Sequence, residues 1–327
     1  MAFSFGVWNP QPWNGKIPKR MTELSAILAI ARSSGGQFRD MKTRTEVGPM
    51  EADLDVRAYG KLEQIDLQSP VAGEITLRAR KIEAMAQLAE EDVVEGANYS
   101  FDVIKNLTDR GTTNTAVYFD NSCIGTSGDP TGGETNILRP YRSIYTTVRE
   151  DNPDGYFSVA AAANAAAYRA GIKSMIEIAE VSEWSDGDLV ITASPIWKSY
   201  LRDLPTDGSN GIQVWDPNSD TIYGHPVQWT RGARLANNAG AGTATSKPTG
   251  NHLMTIGPRG LHIVGKAPFR VGDAATPQVY VTDPTTGLGM RDDSMYMKMR
   301  CQLAFSPADS LDAATAVGAF AVLERKA

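Results

Sequence analysis

Residues 215–229 read WDPNSDTIYGHPVQW, and the way this stretch folds decides how the rest of the chain is interpreted. Asp216, Asn218 and Asp220 take the first, third and fifth positions of a calcium-binding loop. Alternate oxygens at these positions can converge on one cation. The stretch is therefore either an ion site or the tip of a β-hairpin.

The remaining positions of the stretch favour the hairpin. The sixth position of a calcium loop needs glycine and is Thr221, and the twelfth needs a bidentate glutamate and is Val227. Pro217 presets a turn, and neighbouring Asn and Asp side chains bond their own backbone there. We predict a hairpin and no metal site.

Composition indicates a globular chain. It has 327 residues, 42% hydrophobic and 21% charged, which suits one large domain or two to three modest ones. A net charge of −6 does not indicate a general attraction to nucleic acid or anionic membranes. Cys123 and Cys301 lie far apart, so we expect reduced thiols. The sequence contains neither a run of 18 apolar residues nor a signal-peptide pattern at its start.

Residues 1–45 are predicted to form an extended arm. Several prolines near the start discourage helix around Trp8 and Trp13, and a helix is expected over residues 21–32. Large aromatic side chains need a surface that buries them. These two indoles either fold back on their own domain or pack on another subunit.

Residues 50–89 predict two strands joined by a loop. Apolar residues alternate with polar ones up to Ala79, and their parity changes after Arg80 and Lys81. A one-residue slip moves side chains to the other face of a sheet, so a bulge or bend is expected near Arg80. A long two-stranded hairpin is marginal alone and should lie on something, such as a neighbouring chain.

Two long helices are predicted, over residues 98–124 and after Ser158. The apolar face of the first is expected to contain Phe101, Ile104, Gly111, Thr115 and Tyr118. The second is alanine-rich, with Ser158 as its N-cap. Its buried stripe is predicted to contain Tyr168, Ile172, Met175 and Ile176.

Shorter elements complete the prediction of mixed α and β structure. A strand over DLVITA leads to a helix with Ser194 as cap and Pro195 at its first position. Residues 231–250 suit a flexible loop, and strands follow at HLMTIG, at LHIVG, from Met295 to Phe305 and at the closing VGAFAVLE.

No pattern for catalysis stands out. His225, His252 and His262 have no metal-ligand spacing, so structural roles are favoured. GLHIVGKA at 260–267 matches GxxxxGK, but it lacks the following Ser or Thr and is strand-like. Glu90 and Glu91 could supply paired carboxylates, although the negatively charged start of a helix explains them better. We therefore predict no catalytic, cofactor-binding or metal-binding residues.

The order of these elements resembles the major capsid proteins of tailed bacteriophages with the Hong Kong 97-type fold. The resemblance spans a charged strand running into EED at Arg78–Asp92, and a long helix ending in the glycine-rich stretch 125–132. It continues with Ser194, Pro195 and Trp197 after a strand, and with the Gly-His-Pro-Val stretch 224–227.

The resemblance implies an α+β fold with an N-terminal arm (1–45), an extended E-loop hairpin (46–85), a peripheral domain with a long spine helix (86–185) and an axial domain (186–327). Strands near the end of the chain, although they follow residue 186, can belong to the peripheral domain. Five residues are implied to contact neighbouring subunits: Trp8, Trp13, Arg78, Arg80 and Lys81.

The same resemblance implies a virion shell protein that forms pentamers and hexamers of an icosahedral capsid, assembled in the cytoplasm of a bacterial host. Its implied partners are further copies of itself, a separate scaffolding protein, a portal, a possible decoration protein and double-stranded DNA on the inner face, with no membrane and no cofactor. The alternatives are an encapsulin-like compartment shell, which would pack a cargo enzyme, and an unrecognised hydrolase using an acidic pair such as Glu90 and Glu91.

Overall fold

The structure is a computed structural model, and its described part comprises residue 21 and thirteen stretches: 23–33, 43–50, 72–78, 80–89, 103–125, 141–160, 163–182, 189–204, 214–235, 251–266, 278–280, 294–307 and 318–326. The α-helices in these stretches are α1 (Ala26–Ile30), α2 (Val103–Ile124), α3 (Ile144–Asp151), α4 (Ala165–Val181) and α5 (Trp197–Asp203). This mixture of helices and sheets confirms the α+β class.

The strands fall into three sheets. Those before α4 are β1 (Arg32–Ser33), β2 (Thr43–Met50), β3 (Ala72–Arg78), β4 (Arg80–Ala89) and β5 (Tyr156–Ala160). Those after α4 are β6 (Leu189–Ala193), β7 (Trp215–Asp216), β8 (Thr221–Ile222), β9 (His225–Trp229), β10 (His252–Pro258), β11 (His262–Lys266), β12 (Gln278–Tyr280), β13 (Ser294–Pro307) and β14 (Ala321–Lys326).

The largest sheet has seven strands in the order β5-β14-β10-β6-β9-β8-β7. The pairs β5–β14 and β6–β9 are parallel, and the other neighbours are antiparallel. Every residue of β6 and β10 is buried. Burial on both faces explains why these two strands are almost continuously apolar rather than alternating.

The alanine-rich helix α4 packs on this sheet through the predicted stripe. Tyr168, Ile172, Met175 and Ile176 are buried, as the 3.6-residue period indicates. The predicted start was wrong. Ser158 lies in β5, where it pairs with Glu324, and the helix is capped by Asn164, whose side chain accepts from the Ala167 N–H at 2.9 Å.

The helix after β6 also begins later than predicted. Ser194 does not cap it, because its hydroxyl contacts His252 Nδ1 at 3.1 Å while a turn through Pro195 precedes the helix. Helix α5 begins at Trp197, and its N-cap residue Ile196 makes no side-chain capping bond.

The second sheet has five strands and is organised around β13. Strand β13 pairs antiparallel with β4 over ten residue pairs, from Ser294–Ala89 to Leu303–Arg80. Its other edge carries β11 and β12, and β1 adds to β11 in parallel at the margin of the sheet. The predicted strand from Met295 to Phe305 is confirmed.

Strands β2 and β3 form a separate two-stranded sheet. Strand β3 ends at Arg78 with β2 as its partner, and β4 begins at Arg80 with β13 as its partner. The irregularity expected near Arg80 therefore coincides with a change of sheet. The strand predicted around Leu54–Ala58 lies outside the described residues.

Helix α2 packs on the five-stranded sheet, but with a different face from the predicted one. Gly111, Thr115 and Tyr118 are only partly buried. The side chains that are buried along the helix include Thr108, Thr112, Ala116, Phe119 and the five residues Asp120–Ile124. A buried threonine is tolerated there because Thr112 Oγ1 donates to the Thr108 carbonyl at 2.8 Å.

Two further expectations needed correction. Within the helix predicted over residues 21–32, Ser25 is not helical, and α1 covers Ala26–Ile30 only. The predicted flexible loop 231–250 is ordered in its first five residues, where Arg234 forms an isolated bridge with His252.

Two apolar cores result, one on each face of the seven-stranded sheet, whose strands β6, β10 and β14 contribute residues to both. The first joins α1, α2, α3, β11 and β13, and the second joins α4, α5, β6 and the β7–β9 hairpin. Strand β14 contributes to both, with Val322 in the first core and Leu323 in the second.

Candidate functional site

The most elaborate polar site lies near the C-terminal end of α2, around the fully buried carboxylate of Asp120. Its Oδ1 accepts from Ser25 Oγ at 2.5 Å and from the Ile27 N–H at 3.3 Å. Its Oδ2 accepts from the Ala26 N–H at 3.0 Å and from Thr230 Oγ1 at 2.6 Å. One side chain therefore joins α2 to the start of α1 and to the segment after β9.

The hydroxyl groups of Ser25 and Thr230, which donate to Asp120, are themselves oriented by backbone donors. Ser25 Oγ accepts from the Leu28 N–H at 3.2 Å, and Thr230 Oγ1 accepts from the Gly232 N–H at 3.1 Å. Burial raises the pKa of Asp120, and the four donors oppose that rise. Burial and the Asp120 charge raise the pKa of the Cys123 thiol well above its ordinary value, which makes Cys123 a poor nucleophile.

Asn121 fastens the same end of α2 to the chain after β9. Its Nδ2 donates to the Gly232 carbonyl at 2.8 Å and to the Arg234 carbonyl at 2.5 Å. The backbones approach so closely that a Cβ on Gly232 would lie 2.6 Å from the backbone nitrogen of Asn121. A Cβ on Gly125 would lie 2.0 Å from the Arg234 oxygen. Glycine is thus required at both positions by the lack of space.

A second buried carboxylate, that of Glu324, ties β14 to its surroundings. Its Oε2 accepts from the Tyr156 hydroxyl and from the Tyr145 hydroxyl at 3.2 Å, and its Oε1 accepts from Asn251 Nδ2 at 2.5 Å. Burial and Glu324 raise the pKa of both tyrosines. The Arg149 guanidinium lies 5.8 Å and 5.6 Å from the two ring centroids. Apart from the Arg149–Tyr145 contact, which lies within α3, these contacts join separate segments of the chain.

The three histidines lie in different surroundings. His262 Nδ1 contacts the Pro258 carbonyl at 2.9 Å, and burial lowers the pKa of His262 to about 4. His252 lies between Ser194 and Arg234, and its pKa is lowered to about 4 by burial and then by the charges of Arg234 and Arg325. His225 pairs with Glu180 at 3.0 Å on the surface.

The stretch 215–229 forms the predicted hairpin. Asp216 accepts from the Asn218 N–H at 2.9 Å and from Ser219 Oγ at 2.7 Å, and Asp220 accepts from Trp229 Nε1 at 3.1 Å. These oxygens are used in turns rather than aimed at one cation. In the described ranges no group of three His, Cys, Asp or Glu side chains could hold a metal ion.

The GLHIVGK stretch forms a turn followed by a strand. Gly260 and Leu261 lie in a 3₁₀ turn (Arg259–Leu261), and the remaining residues are strand β11 rather than a phosphate-binding loop. Glu90 and Glu91 lie outside the described residues. None of the helices in the described part of the chain is long and apolar enough to cross a membrane.

The residues expected at subunit contacts lie in two regions. Trp8 and Trp13 are outside the described residues. Arg78 ends β3, and Arg80 and Lys81 begin β4, so these three flank the change of sheet. The Arg80 side chain is partly buried, and its Nε has no hydrogen-bond partner within the described part of the chain.

The sequence did not predict that Asp120 joins α2 to the start of α1 and to the segment after β9. The only local signal is the polar run Asp120–Ser122, placed between Phe119 and Cys123 on a helix whose end is otherwise apolar. Polar residues on a buried stripe indicate specific hydrogen-bond partners, since unpaired ones would be costly.

No protein-family model matches the chain, and no curated protein matches its sequence. Solved structures do match. One from Mycobacterium phage Ogopogo has a TM-score of 0.65 at 12% identity, covering 92% of each chain. One from Mycobacterium phage Bobi has a TM-score of 0.61 at 12% identity, covering 93% of this chain and 91% of that chain.

A chain of the capsid of an empty gene transfer agent (GTA) particle, computed with C5 symmetry, is also similar, with a TM-score of 0.58 at 14% identity. It is matched over 93% of this chain and 90% of its own. At such low identity these similarities concern the fold. The chain has the fold of phage capsid structures, which confirms at that level the resemblance to tailed-phage major capsid proteins.

Proposed function

We propose that this chain is the major capsid protein of a tailed bacteriophage, with the Hong Kong 97-type fold. Copies of it would form the pentamers and hexamers of an icosahedral shell that encloses double-stranded DNA. The observation that carries this proposal is the extent of the fold similarity, which covers 92% to 93% of this chain and about nine-tenths of each matched chain. A shell role therefore explains the whole chain rather than one module.

The arrangement of sheets supports the division expected from the sequence. In this proposal, 1–45 is the arm, 46–85 the E-loop, 86–185 the peripheral domain and 186–327 the axial domain. The two-stranded sheet β2–β3 supports a projecting E-loop, since such a sheet is marginal without a partner surface. The late strands β11 and β13 lie in the sheet on which the long helix α2 packs, which supports their return to the peripheral domain.

A structural rather than enzymatic role is part of the proposal. The buried carboxylates Asp120 and Glu324 accept hydrogen bonds from several donors each, and the thiol of Cys123 is buried. Groups used in this way hold elements together. The proposed partners are further copies of the chain, a scaffolding protein, a portal, a possible decoration protein and packaged DNA, with the virion as its location and the host cytoplasm as the place of assembly.

The first test is electron cryo-microscopy of the purified chain with sedimentation velocity on the same sample. We expect closed shells or rings of five or six subunits. If the chain stays monomeric at all salt and protein concentrations, and also when a scaffolding protein from the same genome is co-expressed, the shell proposal is wrong. A shell that packs a cargo enzyme through a peptide would instead indicate an encapsulin-like compartment.

Arg80 tests the proposed contacts at the base of the hairpin. Its partly buried Nε has no partner in the described stretches, so a neighbouring subunit could supply one. We expect Arg80→Ala to lower the yield of particles while the unassembled subunit keeps its melting temperature. Arg259→Ala, which removes an exposed arginine from a turn, serves as the control. Equal yields from the two variants would contradict the proposed contact.

The same assay applies to the other expected contacts. Trp8→Ala combined with Trp13→Ala, and Arg78→Ala combined with Lys81→Ala, should each reduce the yield or the heat resistance of particles. Unchanged particles would remove those residues from the proposal. Loss of a hydrolytic activity on changing Glu90 and Glu91 to alanine would favour the enzyme hypothesis instead.

A further inference from the structure

We propose that residues 25–33, which we call the strap, can leave the rest of the subunit while the remainder stays folded, and that Asp120 is the residue that holds the strap in place. The strap consists of the cap residue Ser25, helix α1, Ala31 and strand β1. This inference concerns the single subunit and does not depend on the proposed shell function.

Asp120 is bonded mainly to the strap. Three of its four described hydrogen bonds come from Ser25 Oγ and from the Ala26 and Ile27 N–H groups, and only Thr230 Oγ1 belongs to the rest of the subunit. Ser25 also caps α1 through the Leu28 N–H. All the strap contacts to Asp120 are made within the first turn of one short helix, so they form and break together.

The strap has few other means of attachment. Helix α1 has five residues, and an isolated helix of that length is unstable in water. Strand β1 has two residues and pairs only with β11, at the margin of the five-stranded sheet. Its departure would leave β11 as the edge and would break no other strand pair of that sheet. The apolar attachment consists of the buried side chains of Ala26, Ile27 and Ile30, with Leu28 and Ala31 partly buried against the same core.

The surface under the strap is held together without it. Phe119, Tyr141 and Phe305 form two edge-to-face ring contacts with centroid distances of 5.8 and 6.4 Å. The Tyr141 hydroxyl donates to the Leu303 carbonyl at 2.7 Å, and Asn121 keeps α2 on the chain after β9. The strap is therefore a local unit of low stability lying on a body of higher stability, the condition for opening without global unfolding.

Opening would have two effects on the subunit. It would free the chain that precedes Ser25 from a fixed attachment point on α2. It would also expose the backbone edge of β11 at Ile263 and Val264, which β1 occupies when the strap is closed. Exposed strand edges accept other strands readily.

Hydrogen–deuterium exchange of the full chain, read by mass spectrometry, tests this proposal. In the unsubstituted protein we expect amides of residues 26–33 to exchange at least about tenfold faster than those of residues 108–124. Ser25→Ala removes one bond to Asp120 and the cap of α1, and it should accelerate strap exchange a further ~tenfold, with strap amides still exchanging faster than those of α2. Asp120→Ala should have a larger effect in the same direction.

Two controls separate strap release from general destabilisation. Thr230→Val removes the one bond to Asp120 that does not come from the strap, and should change strap exchange less than ~threefold. Met175→Ala lowers the free energy of global unfolding through the other core, so it should accelerate exchange of the α2 amides and leave strap exchange unchanged. If strap and α2 amides exchange at one common rate in the unsubstituted protein, or if Met175→Ala accelerates both equally, the strap is an integral part of the core and the proposal is overturned.

Discussion

Helices α4 and α2 bury one face each, but they do so with different chemistry. The buried face of α4 contains Ile172, Met175 and Ile176, whose attachment depends on shape and apolar area, and the Tyr168 hydroxyl adds a bond to the Ala160 carbonyl at 3.2 Å. The buried face of α2 includes Asp120 and Asn121, whose attachment depends on named donors and acceptors.

This difference determines how each helix responds to change. Apolar contacts have no required direction, so α4 should be sensitive to lost volume and tolerant of small rotations. Hydrogen bonds need both partners, so the end of α2 should be sensitive to the loss of a single atom. The four predictions below test this comparison, in order of decreasing expected effect.

The largest effect is expected from Met175→Ala on α4. Met175 is fully buried, and truncating such a side chain removes transfer free energy and leaves a cavity. The free energy of unfolding should fall by about 2–5 kcal/mol, measured by urea denaturation. Glu177→Ala, at an exposed position of the same helix, should change it by less than ~0.5 kcal/mol. Similar losses in the two variants would contradict the volume argument.

Acid should weaken the core on the α2 side through His262. Its pKa is about 4 in the folded protein, because it is buried, and about 6.5 in the unfolded chain. The stability contributed by neutral His262 is present above pH 6.5 and is lost as the pH falls towards 4. This loss amounts to about 3 kcal/mol.

His262→Asn, which can retain a donor to the Pro258 carbonyl, should reduce the loss of unfolding free energy between pH 7 and pH 4. His252 has a similarly lowered pKa and contributes a remaining loss in the same direction. The exposed variant His225→Asn should keep the full acid response. An unchanged pH profile in His262→Asn would show that His262 is not the group responsible.

Asn121→Ala compares the two helices with the same substitution. It removes the side-chain donor from the Gly232 and Arg234 carbonyls, of which the Gly232 carbonyl still accepts from the Arg234 N–H at 2.7 Å, and this loss should cost about 2 kcal/mol. Asn164→Ala removes the exposed cap of α4 and should cost about 1 kcal/mol. The urea denaturation midpoints of the two variants show which substitution lowers stability more. A greater loss from Asn164→Ala would mean that the Asn121 contacts contribute little.

The smallest effect is expected from Thr112→Val. Valine keeps the shape of the buried side chain and loses only a bond to the Thr108 carbonyl within the same helix. The shift in melting temperature should therefore correspond to a loss of at most about 1 kcal/mol in the free energy of unfolding. A loss as large as that from Asn121→Ala would show that local and long-range hydrogen bonds on α2 matter equally.

The sequence was sufficient to predict the elements whose apolar residues recur with a regular spacing. The stripe of α4 follows the helical period, and β6, β10 and β13 have apolar runs or alternation that indicate strands. The order of these elements was also sufficient to indicate the capsid-type fold. Each of these features is expressed by residues that lie close together in sequence.

What the sequence did not predict depends on distant partners. Ser158 is a good cap residue by type, yet it lies in a strand because residues 156–160 pair with 322–326. Ser194 is also a good cap by type, but its hydroxyl contacts His252. Asp120 is bonded to Ser25 and Thr230, which are 95 and 110 positions away. Local propensity contains no information about such partners.

The position of β14 has a consequence for the synthesis of the chain. Strand β14 lies between β5 and β10, although residues 321–326 are made long after both. Until β14 has been synthesised, the seven-stranded sheet has a gap between β5 and β10, and each core lacks its contribution from β14. A chain that stops short of β14 therefore has two open strand edges, which make it prone to aggregate. Both cores are completed only when β14 is in place.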